Sequence, residues 1–315
     1  MKSLRALAHW FDTSAPAEGV DPDRIDWLRV LTFAGMHLAC LGVFFVGASP
    51  AALWTALALY ALRMFAITGF YHRYFAHRAF KMGRFTQFVW ALIGTSAMQK
   101  GPLWWAGHHV THHKYSDRDG DPHSPHVSGL YYAHIGWFTS DVRYNKIEPT
   151  NPVVRDFGKY PELRILNENY WAPPAAIALG MYLYGGMQWL AWGFLLPTMT
   201  LAHATFCINT VNHLLGSRRF KTMDQSRNNV LTAIFAAGEG WHNNHHRYQR
   251  AARNGFYWWE FDPTYYVIAV MGWLGLAWDI QPVPERIYRE AEAQSLAPPE
   301  PDLDPSAEPN AEAQA

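Results

Sequence analysis

Long uncharged stretches dominate the pattern of apolar and polar positions. Residues 30–62 contain no Asp, Glu, Lys or Arg, and neither do residues 169–217. A helix needs about 20 apolar residues to cross a hydrocarbon core of roughly 30 Å. The first stretch, extended to Tyr71, predicts two spans, about 28–47 and about 51–71, divided by the turn signal Gly47-Ala48-Ser49-Pro50. The second predicts two more, about 170–186 and 189–211, broken near Gly185-Gly186. Two helical hairpins result. Buried core helices of a soluble protein are the competing reading, but stretches so long and charge-free leave no water-facing helix face.

The polar segments set orientation. Both hairpin tips lack Lys and Arg, whereas segments 1–29, 72–168 and 218–289 hold all but one of them. By the positive-inside rule both termini and the middle segment face the cytoplasm, the inner-membrane side if the source is bacterial. The exception, Arg63, is expected near the inner interface or snorkelling towards it. Residues 1–29 lack the apolar core of a cleavable signal peptide, and Leu4 to Trp10 reads equally as a short amphipathic helix or a solvated arm. Three shorter uncharged stretches, 85–99, 228–238 and 263–278, predict helices lying in the interface or packed under a cap.

The chain therefore divides into an arm (1–27), a hairpin (28–71), a cytosolic segment (72–168), a second hairpin (169–211), a second cytosolic segment (212–284) and a tail (285–315). The tail holds eight acids against two bases and the run Ala-Pro-Pro-Glu-Pro, which predicts disorder. It carries −6 in a chain of net charge zero, so the remainder carries +6 and suits an anionic leaflet. The mean hydropathy of −0.16 is an average over unlike layers. Without a basic excess overall, a nucleic-acid partner is excluded; with two cysteines, Cys40 and Cys207, so is a disulfide scaffold.

Nine of the 16 histidines group beside the inner ends of the spans. His72 and His77 follow the second span. His109, His112 and His113 form one H-x-x-H-H run, and His242, His245 and His246 form another. Asn209 and His213 stand four apart at the end of the fourth span. On a helix, residues i, i+3 and i+4 share a face, so each H-x-x-H-H aims three imidazoles at one point. Positions five apart diverge by about 140° on an α-helix, so His72 and His77 suit two neighbouring metals or a helix that breaks between them. Imidazole suits Zn, Cu, Fe or Ni rather than Mg or Ca. Nine exceed the four ligands of a structural zinc site, which indicates two metals. The other seven read as bystanders: His9 at the surface, His37 and His203 hydrogen-bonded within the bundle, and His108, His123, His126 and His134 beside or beyond the ligands.

These elements resemble the integral-membrane fatty acyl desaturases of the stearoyl (Δ9) type, bacterial acyl-lipid and acyl-CoA members in particular. The match lies in H-x4-H, two H-x2-H-H boxes and N-x3-H, with His77-Arg78, Asp121-Pro122-His123, His134-Ile135-Gly136-Trp137 and Gly238-Glu239-Gly240-Trp241. It covers about residues 28–281. The resemblance implies an all-α fold: four transmembrane helices carrying a cytosolic helical cap. It implies two irons held by the nine histidines, with Asn209 reaching one through a water. It also implies a kinked substrate tunnel at which Gln99, Trp105 and Thr205 stand. The implied reaction is O2-dependent insertion of a cis double bond, Δ9 in position, into a saturated acyl chain carried by phospholipid or CoA. An unactivated methylene has no acidic proton, so the metal must carry the oxidation.

The chain has no dinucleotide fingerprint and no cysteine cluster. Electrons are therefore expected from a ferredoxin, rubredoxin or small haem carrier with its NAD(P)H reductase. The chain departs from animal acyl-CoA members at Gly107, Asp141 and Val142, where those carry basic residues; Lys100, Arg143 and Lys146 could substitute. Two rivals stand: a membrane di-iron hydroxylase, whose second box is typically H-x3-H-H, and a metal transporter, which would place its ligands at mid-membrane.

Overall fold

The computed structural model describes residues 25–140 and 147–296. The arm at Leu4–Trp10, residues Asp141, Val142, Arg143 and Lys146, and the tail beyond Leu296 lie outside them. Helix α1, Trp27–Cys40, is capped by Asp26, whose carboxylate accepts from the N–H groups of Leu28 and Arg29. A 3-10 turn, Leu41–Phe44, prolongs it. Gly47 takes φ +67°, and Ser49 caps α2, Pro50–Phe65, with proline in the first turn. The helix runs on without a break as a π-helix, Ala66–Ala76.

Three helical stretches are long and apolar enough to cross a membrane: Trp27–Phe44, Pro50–Ala76 and Ala172–Leu214. The third is two helices. Gly185 (φ −151°, ψ 26°) and Gly186 (φ 63°, ψ −150°) break it, so α6, Ala172–Leu190, turns back within its last residues, through a π-turn at Ala191–Leu195, into α7, Leu196–Leu214. Met181 consequently packs where a side chain on Gly193 would stand, although a straight helix would hold these positions about 18 Å apart. The hairpin tips meet: Gln188 Nε2 donates to the Val46 carbonyl (3.0 Å) and Trp192 Nε1 to that of Gly47 (2.7 Å). Outward faces carry large apolar side chains, among them Phe44 and Phe45, 79% and 86% exposed, as a lipid-facing surface requires.

Arg63 departs from expectation. It is fully buried in the bundle, where its Nε donates to the Leu59 carbonyl and Nη1 to the Thr198 hydroxyl at 2.7 Å. The Leu59 carbonyl and the Thr198 hydroxyl satisfy part of the guanidinium locally, inside the bundle, so the side chain does not snorkel outward.

Further helices are α3 (Arg84–Thr95), α4 (Pro102–Tyr115), α5 (Pro161–Glu168), α8 (Val230–Phe235), α9 (His242–Arg247) and α10 (Pro263–Trp273). The three uncharged stretches thus contain α3, α8 and α10. A two-residue ribbon pairs β1, Lys81–Met82, with β2, Ala277–Trp278. The main core runs from Met64 and Phe70 to Ile268 and Met271. A smaller one holds Phe220, Phe256, Ile287 and Ala291. It corrects the expectation of disorder from residue 285: Glu285–Leu296 is a helix, α11, that buries Ile287 and Ala291. Glu290 clasps Arg247, and Tyr288 donates to the Phe256 carbonyl (2.9 Å).

Candidate metal centre and adjoining cavity

All nine expected histidines converge, in two clusters. One contains His72, His77, His109, His113 and His245; the other contains His112, His213, His242 and His246. Local geometry explains the first. The π-helix bonds residue i to i+5, and the His77 N–H donates to the His72 carbonyl at 3.1 Å. Residues five apart then lie over one another, so His72 and His77 serve one cluster. The divergence expected from α-helical geometry does not occur. Helix α4 places His109 and His113 on one face for the first cluster and turns His112 to the second. Helix α9 divides its box likewise, His245 to the first cluster and His242 and His246 to the second. The expectation that each H-x-x-H-H aims three imidazoles at one point is thereby corrected: the i+3 and i+4 positions diverge enough to serve two neighbouring centres.

Glycines make room for that box. Gly238 has φ +105°, a conformation that L side chains rarely adopt, and a Cβ there would strike Asp262. A Cβ on Gly240 would strike the backbone of Ala233 and Asn229.

The ring nitrogens test whether a metal fits. His72 Nε2 lies 2.9 Å from that of His245, His77 Nε2 2.8 Å from that of His109, and His213 Nε2 3.0 Å from that of His242. Two nitrogens bound about 2.1 Å from one ion at right angles stand about 3 Å apart. His246 Nε2 is buried without a partner. Each cluster therefore has the donor set and convergence for one transition-metal ion.

Carboxylates, which sequence reasoning did not assign, hold the opposite nitrogens. Nδ1 of His72 faces Glu239 (2.5 Å), that of His112 faces Asp121 (2.9 Å), that of His213 faces Asp117 (2.8 Å) and that of His246 faces Asp224 (2.9 Å). A carboxylate on Nδ1 fixes the tautomer that leaves Nε2 free for metal. Glu239 also binds Arg73, which in turn binds Asp262, the cap of α10. Flanking Asp121 and Glu239 had entered only as matching neighbours; Asp117 and Asp224 carried no spacing signal.

Electrostatics follow from burial. Burial, aided by neighbouring imidazoles, pushes His109, His113, His242 and His245 well below the ordinary histidine range. It also lowers His246, but Asp224 opposes it and leaves it at about 4. For His112 burial is outweighed by Asp121, and the pKa rises. Burial would raise Asp117, yet His213, Ser124 and the Gln225 N–H hold it at about 2.

Against the clusters lies a cavity of about 1170 Å³, part of it open to the outside, lined by apolar side chains together with His72, His109, His112 and His242. Asn209, four residues before His213 on α7, lines it too. Gln99, Trp105 and Thr205 meet there as one hydrogen-bonded group. Trp105 Nε1 donates to Gln99 Oε1 (3.2 Å), and Gln99 Nε2 donates to Thr205 Oγ1 (2.7 Å). Met98 (φ 62°) and Lys100 (φ 67°) are left-handed on either side of Gln99, a strained turn that aims its amide inward. Trp105 stacks on His109 with ring centroids 4.8 Å apart.

Bystander histidines behave as expected in the bundle: His37 and His203 hydrogen-bond at 2.7 Å, and His203 bonds His134 at 3.0 Å. His126 Nε2 donates to the His213 carbonyl at 2.8 Å. His123 stacks beside His112 at 4.4 Å, and burial lowers its pKa to about 3.

Residues 48–280 match the family described as fatty acid desaturase. The chain is 34% identical over 285 residues to the acyl-CoA 5-desaturase of Anemone leveillei, covering 84% of this chain and 85% of that one. It is 34% identical over 260 residues to the sn-1 stearoyl-lipid 9-desaturase of Anabaena variabilis, covering 82% and 94%. It is equally similar, over 260 residues, to the Delta-9 acyl-lipid desaturase 1 of Arabidopsis thaliana, covering 82% and 84%.

Proposed function

Because the chain belongs to the fatty acid desaturase family, we propose that it inserts a cis double bond at the Δ9 position of a saturated acyl chain carried by phospholipid or CoA. The observation that carries this reading is the contact between the two imidazole clusters and the wall of one apolar cavity, with a fixed polar crossbeam beside them. The reaction takes two hydrogens from adjacent methylenes; O2, two electrons and two protons go to two waters. Two irons, one per cluster, would supply the oxidising power that an unactivated C–H bond demands.

The chain's own residues do the rest. Apolar walls exclude water and hold a polymethylene chain by dispersion. Gln99, clamped by Trp105 and Thr205, cannot be pushed aside without losing both hydrogen bonds, so the acyl chain must bend around it. Trp105, stacked on His109, sets the distance between that bend and the first cluster. Asp117, Asp121, Asp224 and Glu239 keep four imidazoles in the tautomer with Nε2 free. Asn209, on the wall of the same cavity, would reach one of the irons through a water. The electrons come from an external carrier, a ferredoxin, rubredoxin or small haem protein with its reductase.

The same reading gives four crossings, from α1, α2, α6 and α7, with hairpin tips on one side and both termini and the cap on the cytoplasmic side. From Ser49 to His72 the chain climbs about 35 Å at the helical rise, enough to cross a hydrocarbon core of roughly 30 Å. Expression in a host lacking unsaturated fatty acids, followed by lipid mass spectrometry, tests the reading. A new monounsaturated chain is expected, with its head group identifying the carrier. A hydroxylated chain would replace desaturation by oxygen insertion.

A further inference from the structure

A second cavity, enclosing about 1000 Å³ of partly open space, shares no lining residue with the first. It lies between β1, the start of α3 and the turn 156–160. Five cations line it, Arg78, Lys81, Arg84, Lys159 and Arg250, against two acids, Asp156 and Asp279. Two of the cations are already matched. Arg84 makes a two-pronged pair with Glu162 (2.7 and 2.8 Å), and Lys81 pairs with Asp279 (2.8 Å). Arg78, Lys159 and Arg250 are left facing Asp156.

Two buried donors of the same cavity also lack an acceptor. Arg78 is fixed: it stacks on Phe157 with 4.1 Å from Cζ to the ring centroid, and Nη2 donates to the Val153 carbonyl (3.0 Å). Its Nη1 is buried without a partner. Gln87 is 2% exposed, and its Oε1 accepts from Tyr74 (2.9 Å), which leaves Nε2 buried and unpartnered. Buried donors without an acceptor are costly and rare. Two of them, set among uncompensated cations, call for an oxyanion rather than a metal or an apolar group. Arg78 also holds a left-handed backbone, φ 55°, an unfavourable conformation that only a rigid surround maintains.

The neighbours of the lining residues decide what carries the oxyanion. Trp278, paired with Lys81 across the ribbon, and Phe85, next to Arg84, are 46% and 80% exposed. A ligand in the cleft meets positive charge on its lining, next in the chain or across the ribbon from exposed aromatic side chains. We propose that this cleft binds the headgroup phosphate of an anionic membrane lipid, whose chains lie along Phe85 and Trp278. The site is separate from the catalytic cavity, and its occupant is not the acyl chain that reacts. Basic pockets at the cytoplasmic leaflet bind such headgroups.

Lys159 and Arg250 are exposed and make no packing contribution to the core, so both can be changed in the folded enzyme. The full-length, metal-loaded protein in detergent is titrated with phosphatidylglycerol or phosphatidylcholine and read by native mass spectrometry. The expected result is one retained phosphatidylglycerol per chain, preferred over phosphatidylcholine by roughly tenfold or more. That preference disappears in Lys159→Gln/Arg250→Gln while metal content stays unchanged. Adenosine 3′,5′-bisphosphate separates the other source of phosphate: binding of the nucleotide at these residues without retention of phosphatidylglycerol overturns the lipid assignment. So does equal retention of both lipids, or equal retention by wild type and variant. A double variant that keeps its lipid but accepts electrons more slowly from an acidic carrier protein overturns it in favour of protein docking.

Discussion

The two histidine clusters are built to different plans. The first gathers five imidazoles but sets one carboxylate, Glu239, behind them. The second gathers four and sets carboxylates behind three: Asp121, Asp117 and Asp224. Orientation in the first comes from backbone and packing, through the π-helix under His72 and His77 and the stacking of Trp105 on His109. In the second it comes from charge. Three carboxylates raise ligand basicity, so the second cluster is expected to hold a metal the more tightly and the first to be the more sensitive to geometry. The cavity lined by both clusters has a polar crossbeam that contacts only the first, through Trp105.

Removing a ligand breaks the comparison most severely. His245→Ala and His242→Ala are each expected to abolish desaturation while leaving membrane insertion intact. Metal analysis should show one ion lost in each, from the first and the second cluster respectively. If either variant loses both ions, the clusters are one coupled site and the contrast between them fails. His112→Ala should behave as His242→Ala does.

Removing a carboxylate comes next. Asp224→Asn and Asp117→Asn should each weaken metal binding at the second cluster by about 10- to 100-fold, measured by competition with a chelator. Glu239→Gln should weaken the first cluster and lower the thermal midpoint as well, because Arg73 would keep only Asp262 as a charged partner in a buried setting. A Glu239→Gln protein as stable as wild type would show that Asp262 alone compensates Arg73.

Metal removal exposes the third difference. In the metal-free protein His109, His113 and His245 of the first cluster stay neutral well below the ordinary histidine range. The unfolded chain protonates them near 6.5, so it binds more protons and stability falls as pH drops below about 6.5. In the second cluster His242 and His246 are lowered in the same way, but His112 is raised by Asp121 and is charged earlier on acidification, which favours the folded state at that one residue. Imidazole NMR of the chelated protein should find His112 protonated at pH 6 while His109 and His245 are neutral. Its thermal midpoint should fall between pH 7 and pH 5.

Much of this was legible before any coordinates, for physical reasons that can be named. Spacing of three and four on α4 and α9 marks those histidines as ligands, but it does not show their division: each box is split between the two clusters instead of meeting at one point. His72 and His77 could be identified as ligands but not placed, because a π-helix leaves no mark in residue types. Asp117 and Asp224 lie in loops that approach His213 and His246 only through the tertiary fold. Helix α11 was hidden by composition: its acids suggested disorder, while Ile287 and Ala291, four apart, form the stripe that packs on Phe220 and Phe256. Arg63 was misjudged for a similar reason, since the hydroxyl that receives it, Thr198, is 135 residues away.

The smallest expected effect concerns the crossbeam. Gln99→Leu removes both its hydrogen bonds at a cost of about 1 kcal/mol each, too little to unfold the protein or to release metal. Trp105 remains stacked on His109, so the distance from cavity wall to first cluster is kept. What changes is the obstacle at the bend: the acyl chain can slide along its own axis and present neighbouring methylenes. Lipid mass spectrometry should find desaturation retained, with double bonds spread over adjacent positions, and Thr205→Val should do the same more weakly because Trp105 still holds Gln99. If Gln99→Leu instead leaves the product unchanged, position along the chain is set at the cavity's ends, and the crossbeam merely closes its wall.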